Sequence, residues 1–351
     1  MARIYLDHNA TTPLRGEARD AMIAAMDSFG NPSSVHAEGR ASKAIIEKAR
    51  AQIASAFGAD GADIVFTSSA TEAAALSCAG RGFASARVEH DAVLAWTSGD
   101  LAVDSNGTVA ILHPNESAVQ LANSETGVLQ QLPEGLAVCD MTQAFGKIAV
   151  AFNWSGASMA LISAHKLGGP KGIGALVFKR GIDIASQIKG GGQEMGRRSG
   201  TENIIGIAGF GAAAEAAQRD LEAGVWSRVE KLRNILENTI ADRAKHTIFV
   251  GKNNRRLPNT SCILTPGWKG ETQVMQMDLA GFAISAGSAC SSGKVKASDV
   301  LRAMGHSESD ASCAIRVSLG PETTEQEVLA FADAWLAQHD KFRARAALSN
   351  E

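Results

Sequence analysis

Met159-Ala160-Leu161-Ile162-Ser163, followed at once by Ala164-His165-Lys166, is the stretch on which the reading of this chain turns. Consecutive apolar residues bounded by polar ones predict a buried β-strand, and here the strand runs into a lysine. Strand ends are where an open α/β sheet presents groups to a ligand. Two other runs share the pattern. Ala62 to Thr67 (ADIVFT) gives way to Ser68-Ser69-Ala70-Thr71-Glu72 and an apolar helix over 73–79, and Leu136 to Cys139 (LAVC) ends at Asp140. Gly174 to Lys179 (GALVFK) reads as the hairpin partner or neighbour of the 159–163 strand. Buried strands alternating with alanine-rich helices predict an α/β fold with a mostly parallel sheet.

Further along, a long helix is expected over 226–245, with Val229, Leu232, Ile235, Leu236 and Ile240 on its apolar side. Composition shifts near residue 246. Short strands are expected beyond it at 247–250, 260–264 and 314–319, so a smaller α+β domain follows a large α/β one. The 351 residues, 45% hydrophobic and 20% charged, suffice for one large core and a second small one. A net charge of −3 gives no electrostatic reason to expect nucleic acid or an anionic membrane as partner. Asp7 and His8 interrupt the N-terminus where an export signal needs an apolar run, and the apolar stretch 204–217 is too short and broken to span a bilayer. The 5 cysteines form no CxxC pair and no metal-ligand cluster. Free thiols in a reducing cytoplasm, and no resident metal, are the expectation.

Three strand ends carry chemistry suited to one cofactor. Asp140 could face a pyridinium nitrogen and keep it protonated. Lys166 could hold an aldehyde covalently, activated by desolvation. Ser68 to Thr71 would offer hydroxyls and backbone N–H groups to a phosphate. Taken singly each is weak, because a strand-end aspartate is more often a turn residue and a lysine is more often at the surface. The SSATE stretch could equally be a plain helix N-cap.

Together the strings are specific. Ser163 to Gly174 (SAHKLGGPKGIG) resembles the signature of class V, aminotransferase-like enzymes that use pyridoxal 5'-phosphate, and within that class the pattern resembles the cysteine desulfurases of the NifS/IscS-like branch. The same pattern is visible in YLDHNATTP (5–13), GNPSSVH (30–36), SSATE (68–72), VEHDAV (88–93), ETGV (125–128) and CDMTQAFGK (139–147). It continues through GGGQEMGRRSGTEN (190–203), SAGSACSSG (285–293) and IRVSLG (315–320). The resemblance implies the type I fold of PLP-dependent transferases. Its large domain, with a mostly parallel sheet of the seven-stranded type, would span 16–246, and its small domain would take 1–15 and 247–351. It further implies that Lys166 bears the cofactor, Asp140 meets its ring nitrogen, Gln143 its phenolic oxygen and His90 its ring face. Ala70, Thr71, Ser163 and His165 would line the phosphate, and Thr201 would reach the phosphate bound by the other subunit of a homodimer. Arg316 would clamp the substrate carboxylate, with Asn31 in a loop near it. Where the family commonly has Asn-Asn-Glu, this chain has Asn123-Ser124-Glu125, so Ser124 takes a cofactor-contacting place that Asn123 or a water could fill instead. The chain is also shorter than usual between 90 and 140.

Cys290 stands apart from Cys78, Cys139, Cys262 and Cys313, which sit in apolar segments. It lies among small residues, Ala286-Gly287-Ser288-Ala289-Cys290-Ser291-Ser292-Gly293, where glycines favour a mobile loop. The resemblance makes Cys290 the thiolate that takes sulfur from L-cysteine as a persulfide, leaving L-alanine, with an iron–sulfur scaffold or another sulfur acceptor as partner. It would touch an iron–sulfur cluster or its sulfur only transiently. A selenocysteine lyase or another class V aminotransferase would share Lys166 and Asp140 without needing Cys290, and a non-catalytic scaffold of this fold would be expected to lack parts of the site.

Overall fold

A computed structural model describes residues 3–287 and 297–348. Eleven strands are named here in chain order: β1 Ile4–Tyr5, β2 Asp63–Thr67, β3 Ala118–Gln120, β4 Leu136–Asp140, β5 Ala157–Ser163, β6 Gly174–Phe178, β7 Ile248–Val250, β8 Thr260–Leu264, β9 Phe282–Ala283, β10 Ser285–Ala286 and β11 Ala314–Ser318. The central sheet has the order β2-β6-β5-β4-β3. The β3–β4 and β4–β5 pairs are parallel, whereas β6 is antiparallel to both β5 and β2. Parallel bridges Ala84–Ser117 and Ala86–Leu101 carry it past β3, so the sheet is mixed, with two further segments reduced to single bridges.

Both faces of this sheet are covered, which explains why its strands read as unbroken apolar runs. Ile64, Phe66, Cys139, Ala160 and Ile162 face one core, packed with the helices Ala37–Ala56 and Ile204–Glu222. The alternate residues Val65, Val138, Met159 and Leu161 face the other, under the helix Ala70–Cys78. This is the period of two expected of a strand. A second sheet, β10-β11-β8-β7, is antiparallel, and β1 pairs in parallel with β9. Its core gathers Leu6, Ile263, Ile315 and Trp335. The helix Val225–Arg243 packs into that core through Trp226, Val229 and Leu236, although the composition shift lies after it. Among the described residues no helix is long and apolar enough to cross a membrane.

Two local devices set the loops at the ends of the central strands. Ser69 caps the helix Ala70–Cys78 by accepting from Glu72 N, and the Glu72 carboxylate accepts from Ser68 N at 2.7 Å. The SSATE stretch is thus a helix cap of the capping-box kind, which leaves the N–H groups of the first turn aimed beyond the sheet. The segment 190–203 is held down by ion pairs: Arg50 to Glu194 at 2.8 Å, Arg197 to Asp63 at 2.8 Å and Arg198 to Glu72 at 2.9 Å.

Gly174 lies directly under the capped turn. A Cβ there would stand 2.7 Å from Ser69 C and 2.8 Å from Ile162 O, both backbone atoms. Gly174→Ala is therefore expected to lower stability by about 1–3 kcal/mol, as overpacking does; an unchanged denaturation midpoint would contradict this packing.

Candidate active site

A cavity of about 270 Å³ opens where β4 and β5 end. Asp140 and Thr142 come from the end of β4, Ser163 from the end of β5, and His165 and Lys166 from the single turn that follows it. Ser69, Ala70 and Thr71 bring the helix N-terminus, His90 the start of the short helix Asp91–Leu94, Gln120 and Ser124 the continuation of β3, and Arg316 the strand β11. The N-terminal segment closes the floor with Asn9 and Ala10. Lys166 Nζ donates to the backbone oxygens of Asn9 at 2.6 Å and Ala10 at 2.9 Å.

Buried basic and acidic groups meet at this cavity. Arg316 is 2% exposed. It donates to Asp7 Oδ1 at 2.8 Å and to the Ser124 backbone oxygen at 3.2 Å, while its Nε is buried without a partner among the described residues. His165 is lowered to about 4 by burial and by the neighbouring lysines, so its ring is neutral at physiological pH. His90 accepts from Ala92 N at Nδ1, 3.0 Å away, which makes Nε2 the N–H of the neutral ring. Asp140 Oδ1 accepts from Thr142 N at 2.9 Å. Behind it, Glu89 accepts from Gln120 N, and burial together with Asp140 pushes its carboxyl well above the usual range.

The cavity thus unites Lys166, His90, Asp140, Gln143, Ala70, Thr71, Ser163, His165, Ser124 and Arg316. Asn123 does not line the cavity. Its Nδ2 donates to Val88 O, and its Oδ1 accepts from the N–H groups of Glu125 and Thr126, so the amide is spent on shaping its own loop and Ser124 faces the cavity instead. Asn31 is also elsewhere: it is exposed, and its Oδ1 caps Ser33 N in a turn before the helix Ala37–Ala56. Thr201 is exposed in a separate hollow with Ser68 and Arg198, outside the cavity of its own chain. Cys290 lies outside the described residues. Asp7, Asn9, Gln120, Thr142 and Lys147 were not singled out by sequence reasoning. Asp7 and Asn9 stand in YLDHNATTP and Lys147 closes CDMTQAFGK, so the strings marked them, but only the folded chain shows what they touch.

The residues fit a phosphorylated, anionic pyridine aldehyde. Ser163 Oγ and Thr142 Oγ1 line the cavity, buried and without hydrogen-bond partners among the described residues, so they are donors awaiting an acceptor. The N–H groups of the helix Ala70–Cys78 and an amine lie near them, and a carboxylate stands at β4.

Glu125 flanks the site from the other side and accepts from Ser298 Oγ at 2.5 Å. Desolvation raises it from 4.5 to about 7, against the lowering effects of Ser298 and Arg316. Between those values the folded chain holds a proton that the unfolded chain has released. Its contribution to stability therefore falls as pH rises from 4.5 to about 7 and levels off above. Glu125→Gln is expected to remove this slope from the dependence of melting temperature on pH; parallel profiles for variant and wild type across that window would refute it.

The chain matches the family model "Aminotransferase class-V" over residues 4–331. It is 39% identical to a cysteine desulfurase from Cereibacter sphaeroides over 366 aligned positions, covering 93% of each chain. To a cysteine desulfurase from Frankia sp. (strain EuIK1) it is 40% identical, covering 94% of this chain and 90% of that one. The structure of a NifS-like protein from Rickettsia africae ESF-5 superimposes with a TM-score of 0.87 at 32% identity, over 96% of this chain and 99% of that one. With a lysine at the end of β5, an aspartate at the end of β4 and a family match along nearly its whole length, this chain belongs to the class V aminotransferase family.

Proposed function

We propose that this protein is a cysteine desulfurase that binds pyridoxal 5'-phosphate on Lys166, takes L-cysteine as substrate and receives its sulfur on Cys290. The observation that carries the reading is the convergence of Lys166, Asp140 and Arg316 on one cavity, in a chain that aligns along 93% of its length with a cysteine desulfurase. When bound, the cofactor withdraws electrons from the carbon it holds. Asp140 would face its ring nitrogen, His90 its ring and the remaining amide hydrogen of Gln143 its phenolic oxygen. The N–H groups of Ala70 and Thr71, the Ser163 hydroxyl and neutral His165 would hold its phosphate.

Each remaining residue has a task that its surroundings favour. Arg316 is pre-oriented by Asp7 and Ser124, and its planar guanidinium suits the carboxylate of an amino acid. The amine of Lys166, when free, would serve as the base at the substrate's Cα proton. His90 presents an N–H at Nε2 and so serves as a donor rather than as that base. The Cys290 thiolate forms the S–S bond, the substrate's Cβ–S bond breaks, and the electron pair left on Cβ takes a proton, giving L-alanine and an enzyme persulfide. The exposed position of Thr201 supports a homodimer in which it serves the neighbouring cavity. A cytoplasmic iron–sulfur scaffold or another sulfur acceptor would then take the persulfide sulfur.

Cys290→Ala is expected to keep covalently bound pyridoxal phosphate and lose sulfide and alanine release from L-cysteine. Undiminished turnover in that variant would exclude the persulfide route and favour a selenocysteine lyase or another class V reaction. Arg316→Lys should raise KM for L-cysteine by roughly ten- to a hundredfold, the equivalent of a charge-assisted hydrogen bond of about 1.5–3 kcal/mol. Steady-state kinetics check this, and an unchanged KM would remove Arg316 from the substrate.

A further inference from the structure

Lys147 is a buried cationic side chain that the reaction above does not use. It is 1% exposed and lies beneath the cavity floor. Its Nζ donates to Asn9 Oδ1 at 2.9 Å and to Gln143 Oε1 at 2.7 Å, both neutral acceptors. Burying an ammonium among neutral acceptors is costly. Here burial, with Lys166 and Arg316 close by, pushes the group well below its ordinary range. Two N–H donors of the amine meet these two acceptors. The chain reaches this position only because the preceding residue is glycine. Gly146 has φ +78°, and a Cβ on it would meet Ala217 Cβ at 2.9 Å and Leu167 Cβ at 3.2 Å.

Both partners of Lys147 lead to the floor. The backbone oxygen of Asn9 receives Lys166 Nζ at 2.6 Å and Gln143 Nε2 at 2.9 Å. The side chain of Asn9 is fixed from the second sheet as well, by Thr260 Oγ1 at 2.8 Å and Asn259 Nδ2 at 3.1 Å. We infer that Lys147 is a positioning residue of this site, acting through Asn9 and Gln143 to fix where the amine of Lys166 stands. The inference rests on the reading of Lys166 as the cofactor-bearing lysine. Without the Lys147 donors, Gln143 Oε1 loses its hydrogen bond and that amide can turn. Asn9 Oδ1 keeps only Asn259, and the carbonyl that receives Lys166 is held from the large-sheet side by Gln143 alone.

The test uses the full chain freed of cofactor. Covalent attachment of pyridoxal 5'-phosphate at Lys166 is followed by absorbance, then trapped with borohydride and located by peptide mapping. Reversible binding is measured with pyridoxine 5'-phosphate, which lacks the aldehyde and cannot attach. Lys147→Met is expected to slow attachment at least about tenfold, the scale of a displaced reacting group, while the affinity for pyridoxine 5'-phosphate changes less than about threefold. Lys147→Gln returns neutral N–H donors and should regain part of the rate. A wild-type attachment rate in Lys147→Met, or an equal loss of pyridoxine 5'-phosphate affinity, would overturn the inference. Should Lys147→Met not fold, Asn9→Ser removes the acceptor while keeping the carbonyl that meets Lys166, and it must show the same slowing; a wild-type rate overturns the inference. Wild-type protein that attaches no pyridoxal phosphate at Lys166 would instead overturn the cofactor reading itself.

Discussion

The backbone oxygen of Asn9 accepts from Lys166 and Gln143, while the Asn9 side chain meets Lys147, Asn259 and Thr260. One residue from the N-terminal segment thus ties the ends of β4 and β5 to β8, and so joins the two sheets at the cavity floor. The neighbouring residues extend the link. Asp7 receives Arg316 from β11 and Ser285 from β10, and Asn9 N donates to Ser318 Oγ. Anchoring the floor in this way brings strand ends of both sheets to one cavity. It also explains why Arg316, which comes from the small sheet, stands beside Lys166, which comes from the large one.

The electrostatic consequence is a site in which basic groups are buried without equal compensation. Among the described residues Lys147 has only neutral acceptors, and His165 is held neutral by burial and by the lysines around it. Arg316 has Asp7, but its Nε has no partner among the described residues. Such an arrangement is unfavourable in isolation, and it favours a ligand that brings negative charge. Asp140 lies at the end of β4 with Glu89 behind it, and burial, with Asp140 nearby, raises the Glu89 carboxyl well above its usual range. Elsewhere a closely matched ion pair, Arg256 with Glu237 at 2.9 Å, is buried in the small-sheet region, where both charges are satisfied by each other.

Much of the site was legible in the sequence because strand ends are local features. The apolar run 159–163 and the polar residues after it predict both the strand and its exit, and β5 ends at Ser163 with Lys166 in the following turn. Asp140 and the capped SSATE turn follow from the same logic. Asn123 was not legible, since whether an amide faces a cavity or its own loop depends on a turn that brings Val88, Glu125 and Thr126 within reach. The direction of β6 was legible in part: residues 174–179 read as a hairpin partner or neighbour of the 159–163 strand, and β6 runs antiparallel to β5, which makes the central sheet mixed.

What the sequence determined by itself was the identity of the reacting groups and the elements that carry them, because side-chain chemistry and strand periodicity are written residue by residue. What only the tertiary structure decided was which groups share a neighbourhood. Asp7 and Arg316 are separated by most of the chain, as are Asn9 and Asn259, and no spacing rule connects them. Their meeting follows from packing two sheets against one floor, where a buried donor or acceptor without a partner is too costly to leave.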